Sequence, residues 1–249
     1  MNLLGRIRTL RALRPSREPE LPEVARSVAI ILDGNARWAR RRRLPTAAGH
    51  RAGTRALRRT VEAAIDLGVE TLTVYAFSTE NWSRPREEVD VLMEIFSETI
   101  EHELPDLVGQ GVRVRFLGRR DRAPEGLRER MDALEEETRH NERLNLWIAF
   151  DYGGRDELVQ AARRLVESGI DPREVDENAL AANLYAPDLP DPDLLIRTSG
   201  EVRVSNFLLW QLAYAELVFV ETLWPDFGRE ALLDALAEYA GRRRRFGGR

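Results

Sequence analysis

Three segments of the sequence place acids, amides and arginines directly after an apolar run. The first is Asp33 to Trp38, which reads Asp-Gly-Asn-Ala-Arg-Trp after the apolar run 28–32. A carboxylate at the end of a buried strand, beside the first amides of a helix, suits a phosphate bridged by Mg²⁺. Asp33 would then bind the metal, and the 34–37 amides with the Arg37 guanidinium would hold phosphate oxygens. The alternative is that Asp33 only caps the helix that follows.

The second segment is Tyr75 to Pro85, and a third of similar kind runs from Ile196 to Asn206. Both follow apolar runs and gather hydroxyls with arginines, and such loops supply donors for the oxygens of a diphosphate. The alternative for Ser83-Arg84-Pro85 is an ordinary helix start. Glu216 stands before another apolar run, where an unpaired carboxylate would be costly, so we expect it to meet a metal ion or an arginine.

Composition excludes several kinds of chemistry. The 249 residues include no cysteine and only three histidines, which excludes thiolate zinc sites and disfavours a histidine metal site. The chain has no lysine, so all 38 basic residues are arginines, and Schiff-base chemistry and a P-loop lysine are absent. A net charge of −4 argues against general binding of nucleic acid.

The first residues form a basic extension. Residues 1–14 place leucine and isoleucine at helical spacing with arginines between them, a pattern typical of a helix on an anionic membrane surface. Prolines in 15–20 break this pattern, so a frayed or disordered tail is the alternative. No apolar stretch is long enough to span a bilayer, and no signal peptide is visible, so we expect a cytoplasmic protein with possible membrane association. We expect an extension over 1–23 and one domain over 24–249.

The hydrophobic pattern predicts the elements that position these segments. Strands are predicted at 28–32, 70–76, 112–117, 144–150, 193–197 and 217–220. Helices are predicted at 36–42, 50–67, 86–108, 124–139, 153–168, 175–183, 206–213 and 229–241. This alternation indicates a single α/β domain with a central, mostly parallel six-stranded sheet surrounded by helices. The wide apolar stripe of the 86–108 helix fits either core packing or an elongated apolar pocket against the sheet.

Four motifs resemble, in order and spacing, those of the cis-prenyltransferase family, whose bacterial type is undecaprenyl diphosphate synthase. They are DGNARWARRRRLPTAAGHRAG, VYAFSTENWSRPREEV, YGGRDE and IRTSGEVRVSNFLLWQLAYAELVFVETLWPDF. The resemblance covers about residues 27 to 248. It implies that the chain condenses isopentenyl diphosphate with an allylic diphosphate such as farnesyl diphosphate, in Z geometry, as a Mg²⁺-dependent homodimer.

The same resemblance implies roles for individual residues. Asp33 and Asn81 would be catalytic, with Asp33 as a Mg²⁺ ligand, Glu216 as the second ligand and Asn81 implicated in removal of the proton. The C-terminal Arg245-Phe246-Gly247 resembles a motif that reaches the active site of the partner subunit. The substrate-binding residues implied are Gly34, Asn35, Ala36, Arg37, Trp38, His50, Ser78, Thr79, Glu80, Trp82, Arg84, Arg197, Arg203, Val204 and Ser205.

The chain departs from the usual family pattern at several positions. Thr46 stands where the family commonly has arginine, which removes one phosphate contact, and Arg41 to Arg43 are candidates to compensate. Trp147 and Asp151 stand where the family often has asparagine, so we expect the strand that carries them to line the pocket differently.

Product length is predicted from residues around the chain tunnel. Ala76 is implied to face the tunnel, and a small residue there resembles long-chain enzymes. Leu144 is expected near the tunnel floor, and strand alternation puts Trp147 on the face opposite Leu144. These residues favour a long-chain polyprenyl diphosphate. The alternatives are a short-chain Z-prenyl diphosphate synthase and a non-catalytic, diphosphate-binding subunit of a heteromeric enzyme.

Overall fold

The structure is a computed structural model that describes residues 25–102 and 104–242. The predicted amphipathic helix at 1–14 and the terminal Arg245-Phe246-Gly247 motif lie outside the described residues. Within the described part of the chain, no helix is long and apolar enough to cross a bilayer.

One six-stranded sheet forms the centre of the fold, and every strand pair in it is parallel. The strands are β1 (Ser27–Ile31), β2 (Thr71–Ser78), β3 (Val112–Leu117), β4 (Leu144–Tyr152), β5 (Leu194–Arg197) and β6 (Glu216–Phe219). Their order is β3-β4-β2-β1-β5-β6. All six predicted strands are confirmed. Strands β1 and β5 are neighbours, but the connection after β1 runs to one side of the sheet and the connection after β5 runs to the other side. The carboxyl ends of two such strands border a crevice, which is where open parallel sheets bind ligands.

Helices cover the two faces of the sheet. They are α1 (Asn35–Arg41), α2 (Thr46–Asp66), α3 (Arg86–His102), α4 (Leu104–Val108), α5 (Glu125–Thr138), α6 (Gly154–Ser168), α7 (Glu177–Ala181) and α8 (Arg229–Gly241). Helix α2 begins at Thr46 rather than at residue 50, directly after Pro45, whose ψ of 148° is not helical. The predicted 86–108 helix corresponds to α3 and α4.

The predicted helix at 206–213 is wrong. This stretch forms successive turns, and Ser205, Asn206 and Leu208 adopt positive φ values of 47°, 63° and 43°. A right-handed helix cannot contain such residues. The predicted helix at 175–183 is also shorter than expected, because Asp176 caps α7 by accepting the N–H of Ala179 at 2.7 Å.

The core consists of two clusters on opposite faces of the sheet. One cluster contains Leu144, Leu146 and most of the apolar residues of α2 and α3. The other contains Trp147 and Phe207. The predicted orientation of Trp147, away from Leu144, is therefore confirmed.

Candidate active site

A cavity of about 290 Å³ lies between the sheet and helices α2 and α3. Its apolar lining extends along α3 and onto mid-strand positions: Leu57, Leu92, Ile95, Phe96, Ile100, Phe116 and Ile148. Its polar lining contains Asp33, Asn35, His50, Ser78, Asn81, Arg84 and Arg197. Of the two interpretations of the α3 stripe, the pocket is therefore confirmed, although Val89 and Met93 of the same helix pack in the core. Ala76 lines this cavity, whereas Leu144 is not among the residues that line it.

Asp33 and Arg197 meet where β1 and β5 end. Arg197 Nη2 donates to Asp33 Oδ2 at 3.0 Å, and Arg37 Nη2 lies 3.2 Å from Asp33 Oδ1. The Arg197 side chain is only 4% exposed, whereas that of Asp33 is 29% exposed. Burial raises the pKa of Asp33, but hydrogen bonds from Arg197 and Ser199 and the nearby guanidinium charges outweigh it, so the pKa lies below its ordinary value. Asp33 is therefore an ionised carboxylate at neutral pH.

Gly34 makes the turn between Asp33 and α1. Its φ of 115° is disfavoured for any residue with a side chain, and a Cβ added there would lie 2.9 Å from Leu223 Cδ2. The amides of Asn35, Ala36 and Arg37 begin α1 and have no preceding helical carbonyls to bond. These amides are therefore available at the same edge as the Asp33 carboxylate.

Arg37 is held by the loop that follows β5. Its Nη1 donates to the carbonyl oxygen of Ser199 at 3.0 Å, and its Nη2 donates to Ser199 Oγ. The buried hydroxyl of Thr198 accepts the N–H of Asp33 at 2.9 Å and donates to its carbonyl oxygen at 2.6 Å. Neither Thr198 nor Ser199 is in the predicted set of site residues. Both belong to the third motif, but nothing local in the sequence indicates that they contact residues of the first.

His50 lies in the second turn of α2, beside Asn35. Asn35 Nδ2 and His50 Nδ1 are 3.5 Å apart. Burial and the positive charge of Arg84 lower the pKa of His50 to about 4, although Glu88 partly opposes them. Asn35 Oδ1, His50 Nε2 and Arg197 Nε are buried and have no hydrogen-bond partner among the described residues. Because buried polar atoms are usually paired, these three atoms point to a polar ligand at this end of the cavity.

The loop after β2 forms a short 3₁₀ turn over Thr79–Ser83. Asn81 Oδ1 accepts the N–H of Ser78 at 2.9 Å, and Ser78 Oγ accepts the N–H of Asn81. Trp82 packs edge-on against Phe77, with ring centroids 5.1 Å apart. The side-chain oxygen of Asn81 is thus already hydrogen-bonded, and its NH₂ group remains as a donor.

The loop after β5 is arranged around Arg197. Arg197 Nη1 donates to the carbonyl oxygen of Arg203 at 2.6 Å and to Ser205 Oγ at 2.7 Å. The Arg203 side chain is 57% exposed and pairs with Glu201 at 2.5 Å. Glu201 also lies 3.4 Å from Arg37 Nη1. Arg37 of the first motif and Arg203 of the third motif therefore both face the Glu201 carboxylate, beside the Asp33–Arg197 pair.

Other predicted site residues lie away from the cavity. Trp38 Nε1 donates to Asp226 Oδ1 at 2.7 Å, so its indole is directed toward the Trp224–Asp226 turn. Arg42 lies 4.1 Å over that indole and also pairs with Asp226, so it does not replace the arginine missing at Thr46. Thr79 donates to Glu80 at 3.2 Å, and Val204 packs against the second core cluster. Neither Thr79 nor Val204 lines the cavity.

Within one chain, Glu216 does not lie beside Asp33. It is the first residue of β6 and is in register with Leu194, whereas Phe219 is in register with Arg197. At about 3.3 Å per residue, three residues of strand separate Glu216 from the Asp33 edge by about 10 Å. Glu216 Oε2 instead accepts from Arg242 Nη1 at 2.8 Å. The expected cation partner of Glu216 is therefore an arginine, and the two predicted metal ligands do not converge in one chain.

Comparison with known proteins identifies the family. A family model described as putative undecaprenyl diphosphate synthase matches residues 31–247. The chain belongs to this family. The match includes all three motifs that meet at the carboxyl ends of β1, β2 and β5.

Individual proteins are also similar to this chain. A ditrans,polycis-undecaprenyl-diphosphate synthase of Xanthomonas oryzae pv. oryzae, named as (2E,6E)-farnesyl-diphosphate specific, is 51% identical over 233 residues, 92% of this chain and 90% of that protein. An isoprenyl transferase of Heliobacterium mobile is 49% identical over 229 residues, 90% of this chain and 88% of that protein. The crystal structure of lavandulyl diphosphate synthase from Lavandula x intermedia, in complex with dimethylallyl diphosphate, has a TM-score of 0.87 and 38% identity, covering 90% of this chain and 98% of that one.

Two positions at which the chain departs from the usual pattern of this family lie outside the cavity lining. The Asp151 carboxylate is fully buried and forms a two-point ion pair with Arg122, with one hydrogen bond of 2.9 Å. Arg122 in turn lies 5.1 Å over the Trp82 ring. Trp147 is covered by Arg115 at 4.0 Å. Neither Trp147 nor Asp151 lines the cavity, whereas Ile148 of the same strand does, so any difference in how this strand lines the pocket does not come from the Trp147 and Asp151 side chains.

The donor chemistry of the site is compatible with Mg²⁺. No group of three or more His, Asp or Glu side chains that could hold a metal is found among residues 25–102 and 104–242. Asp33 supplies one ionised carboxylate beside buried donors for an anion. That donor set fits Mg²⁺, which proteins often bind through one or two carboxylates together with substrate phosphates.

Proposed function

We propose that the protein extends (2E,6E)-farnesyl diphosphate with isopentenyl diphosphate units in Z geometry, and that undecaprenyl diphosphate is its product. As a member of this family the chain is a prenyltransferase. The observation that carries the proposal is the cavity itself. An ionised carboxylate, arginines and unpaired buried polar atoms line part of a pocket whose remaining lining is mostly apolar. Such a pocket suits a diphosphate attached to a hydrocarbon chain.

The diphosphate of the allylic substrate binds at the start of α1 in this proposal. The amides of 35–37, His50 and Arg37 contact its oxygens, and its hydrocarbon lies along α3. When the allylic C–O bond breaks, negative charge accumulates on the leaving diphosphate, and these fixed donors stabilise it. Asp33 is the residue that would hold Mg²⁺, and the ion would supply further neutralisation of that charge.

Isopentenyl diphosphate binds in the loop after β5. Arg203 and Ser205 contact its phosphates, and Arg197 orders the loop while it pairs with Asp33. A carbon–carbon bond then forms between the two substrates, and one proton leaves the isopentenyl unit. We assign this proton to an oxygen of the leaving diphosphate, because Asn81 Oδ1 is occupied by Ser78 and an amide is a weak base. Asn81 then orients substrate through its NH₂ group.

Two observations favour a long product. Ala76 lines the cavity and leaves it open where a larger side chain would fill it. The 51% identity to a named undecaprenyl diphosphate synthase also exceeds the 38% identity to lavandulyl diphosphate synthase. A short-chain synthase is the second candidate, because that plant protein shares the fold with a TM-score of 0.87.

The test is a product assay with purified protein, Mg²⁺, farnesyl diphosphate and labelled isopentenyl diphosphate. We expect chromatography to resolve extended Z-prenyl diphosphates that end at the undecaprenyl length. A product of one or two added units would favour the short-chain alternative. Absence of product with farnesyl, geranyl and dimethylallyl starters would favour a non-catalytic binding subunit.

Asp33→Asn tests the assignment of the metal ligand. The substitution keeps the shape of the side chain but removes the charge, so turnover should fall at least about a hundredfold. Because it also leaves the buried Arg197 without its carboxylate, thermal unfolding is measured in parallel. A folded Asp33→Asn protein with a near-normal rate would refute the role.

The remaining proposals concern assembly and location. We propose a homodimer, a cytoplasmic location and peripheral contact of residues 1–14 with anionic membranes, and we expect no nucleic-acid partner. Sedimentation equilibrium measures the mass of the assembly and so tests the homodimer. Flotation with anionic liposomes, for the full chain and for a chain lacking residues 1–20, measures the membrane contact, and equal binding of the two chains would exclude it.

A further inference from the structure

Asn206 joins the three loops that leave β2, β4 and β5. Its Nδ2 donates to Glu80 Oε1 at 2.8 Å, in the loop after β2. Its Oδ1 accepts the N–H of Arg155 at 2.9 Å, and its carbonyl oxygen accepts the N–H of Gly154 at 2.7 Å, both at the start of α6. One residue therefore uses a side-chain donor, a side-chain acceptor and a backbone acceptor across two other loops.

Close packing against Gly153 and an unusual backbone conformation surround the Asn206 side chain. A Cβ added to Gly153 would lie 2.8 Å from Asn206 Nδ2 and 2.6 Å from Thr79 Oγ1. Asn206 and its neighbour Ser205 both adopt positive φ, which is uncommon for residues with a side chain, although asparagine tolerates it better than most. Such a backbone persists only where its contacts determine it.

Asn206 is connected to the Asp33 carboxylate through its neighbour Ser205 and two hydrogen bonds of Arg197. Ser205, the preceding residue, accepts from Arg197 Nη1 at 2.7 Å. Arg197 Nη2 donates to Asp33 at 3.0 Å. The orientation of the Arg197 guanidinium therefore depends on where the 203–206 loop is held, and Asn206 attaches that loop to Glu80 and to α6.

We propose that Asn206 is a positioning residue that sets the geometry of the isopentenyl diphosphate loop relative to the loop carrying Glu80 and Asn81. This proposal rests on the proposed function, which assigns isopentenyl diphosphate to Arg203 and Ser205. Asn206 does not line the cavity, and its hydrogen bonds go to Glu80, Gly154 and Arg155 rather than to α1. Loss of its side chain should therefore weaken the binding of isopentenyl diphosphate more than the binding of farnesyl diphosphate.

The principal variant is Asn206→Gly, because glycine adopts the left-handed backbone freely and only the side-chain bonds are lost. We expect the KM for isopentenyl diphosphate to rise about tenfold and kcat to fall, while the dissociation constant for farnesyl diphosphate stays within about twofold of wild type. A tenfold change is about 1.4 kcal/mol, near the upper end of the range for an ordinary hydrogen bond and just below the range for a hydrogen bond to a charged group. The matched control is Asn183→Gly, which removes a similar amide donor, to the Ala179 carbonyl, far from the site.

A double-mutant cycle tests the Glu80 contact itself. Asn206→Asp still accepts from the Arg155 N–H but faces Glu80 with a second carboxylate, so we expect it to lower kcat/KM about tenfold. In a Glu80→Gln background, the new glutamine amide can donate to the carboxylate introduced at position 206, so the same substitution should cost much less. Additive losses would overturn the proposal, as would an Asn206→Gly protein with an unchanged KM and kcat. Equal loss of binding for both substrates would also overturn it.

Binding separates failure of this proposal from failure of the proposed function. Calorimetry with isopentenyl diphosphate and with farnesyl diphosphate gives both affinities whether or not the wild-type protein turns over. A wild-type protein that binds both substrates without turnover would refute the proposed function, and the selective loss in Asn206→Gly would still support positioning. If Asn206→Gly does not unfold cooperatively like wild type, Asn206→Asp supplies the same comparison.

Discussion

His50 should make the folded protein less stable in mild acid. Burial and the charge of Arg84 lower its pKa from 6.5 to about 4 in the folded state. Between these values the unfolded chain binds a proton at this position and the folded chain does not. The contribution of neutral His50 is therefore complete above about pH 6.5 and is lost as pH falls toward 4.

The size of this effect follows from the two pKa values. At about 1.36 kcal/mol per pKa unit, the shift corresponds to about 3 kcal/mol at its limit. Between about pH 7 and pH 4.5, linkage gives a loss of about 2 kcal/mol in the free energy of unfolding. The pKa values of Asp33 and Glu80 are also lowered, so protonation of these carboxylates also destabilises the folded protein in acid. The contribution of His50 to the pH dependence must therefore be isolated by substitution.

The assay is urea unfolding of wild type and His50→Gln at both pH values. Glutamine keeps a polar side chain near Asn35 but does not titrate. The fall in unfolding free energy from about pH 7 to pH 4.5 should be about 2 kcal/mol smaller in His50→Gln. His102→Gln, which removes an imidazole that is 73% exposed, is the control for loss of a surface histidine. Phosphate buffer is avoided because the proposed function places an anion at this site, and a bound anion would change the measured stability. Equal pH dependence of wild type and His50→Gln would refute the argument.

Two further predictions concern the turn after Asp33 and the depth of the cavity. Gly34→Ala should destabilise the protein by about 2 kcal/mol in urea unfolding, because it combines a positive φ with a 2.9 Å approach to Leu223. Gly68 has a φ of 80° but open space around it, so Gly68→Ala should lower the unfolding free energy only by the cost of the positive φ. Equal losses of unfolding free energy in Gly34→Ala and Gly68→Ala would contradict the role of Leu223. Ala76→Phe should shorten the prenyl product in the chromatographic assay, whereas Ala162→Phe on an exposed surface should not. An unchanged product from Ala76→Phe would show that Ala76 does not limit chain growth.

Local patterns in the sequence were sufficient for the sheet. Strand-like runs of four to seven residues predict all six strands, because a strand buried on both faces must be apolar wherever it meets the core. The same runs place three polar segments at strand ends, and parallel strands bring those ends to one edge. The meeting of Asp33 with Arg197, 164 residues later, follows from that rule.

The errors arose where contacts distant in sequence determine the conformation. The 206–213 stretch has residues compatible with a helix, but Asn206 is held in a left-handed conformation by its bonds to Glu80 and α6. Trp38 lies in the first motif, yet Asp226 directs its indole away from the cavity. Neither partner is visible from local periodicity.

The sequence alone determined the α/β class, the strand positions and the polar character of the three loops that we predict to bind anions, because these depend on residue type and short spacing. The tertiary structure decided which side chains share the cavity, that the pKa of the buried His50 is lowered, and that Glu216 stands at the opposite end of the sheet from Asp33. Those features depend on register, burial and charge from residues far apart in the chain. Side-chain direction and dielectric environment are properties of the packed fold, and no local pattern specifies them.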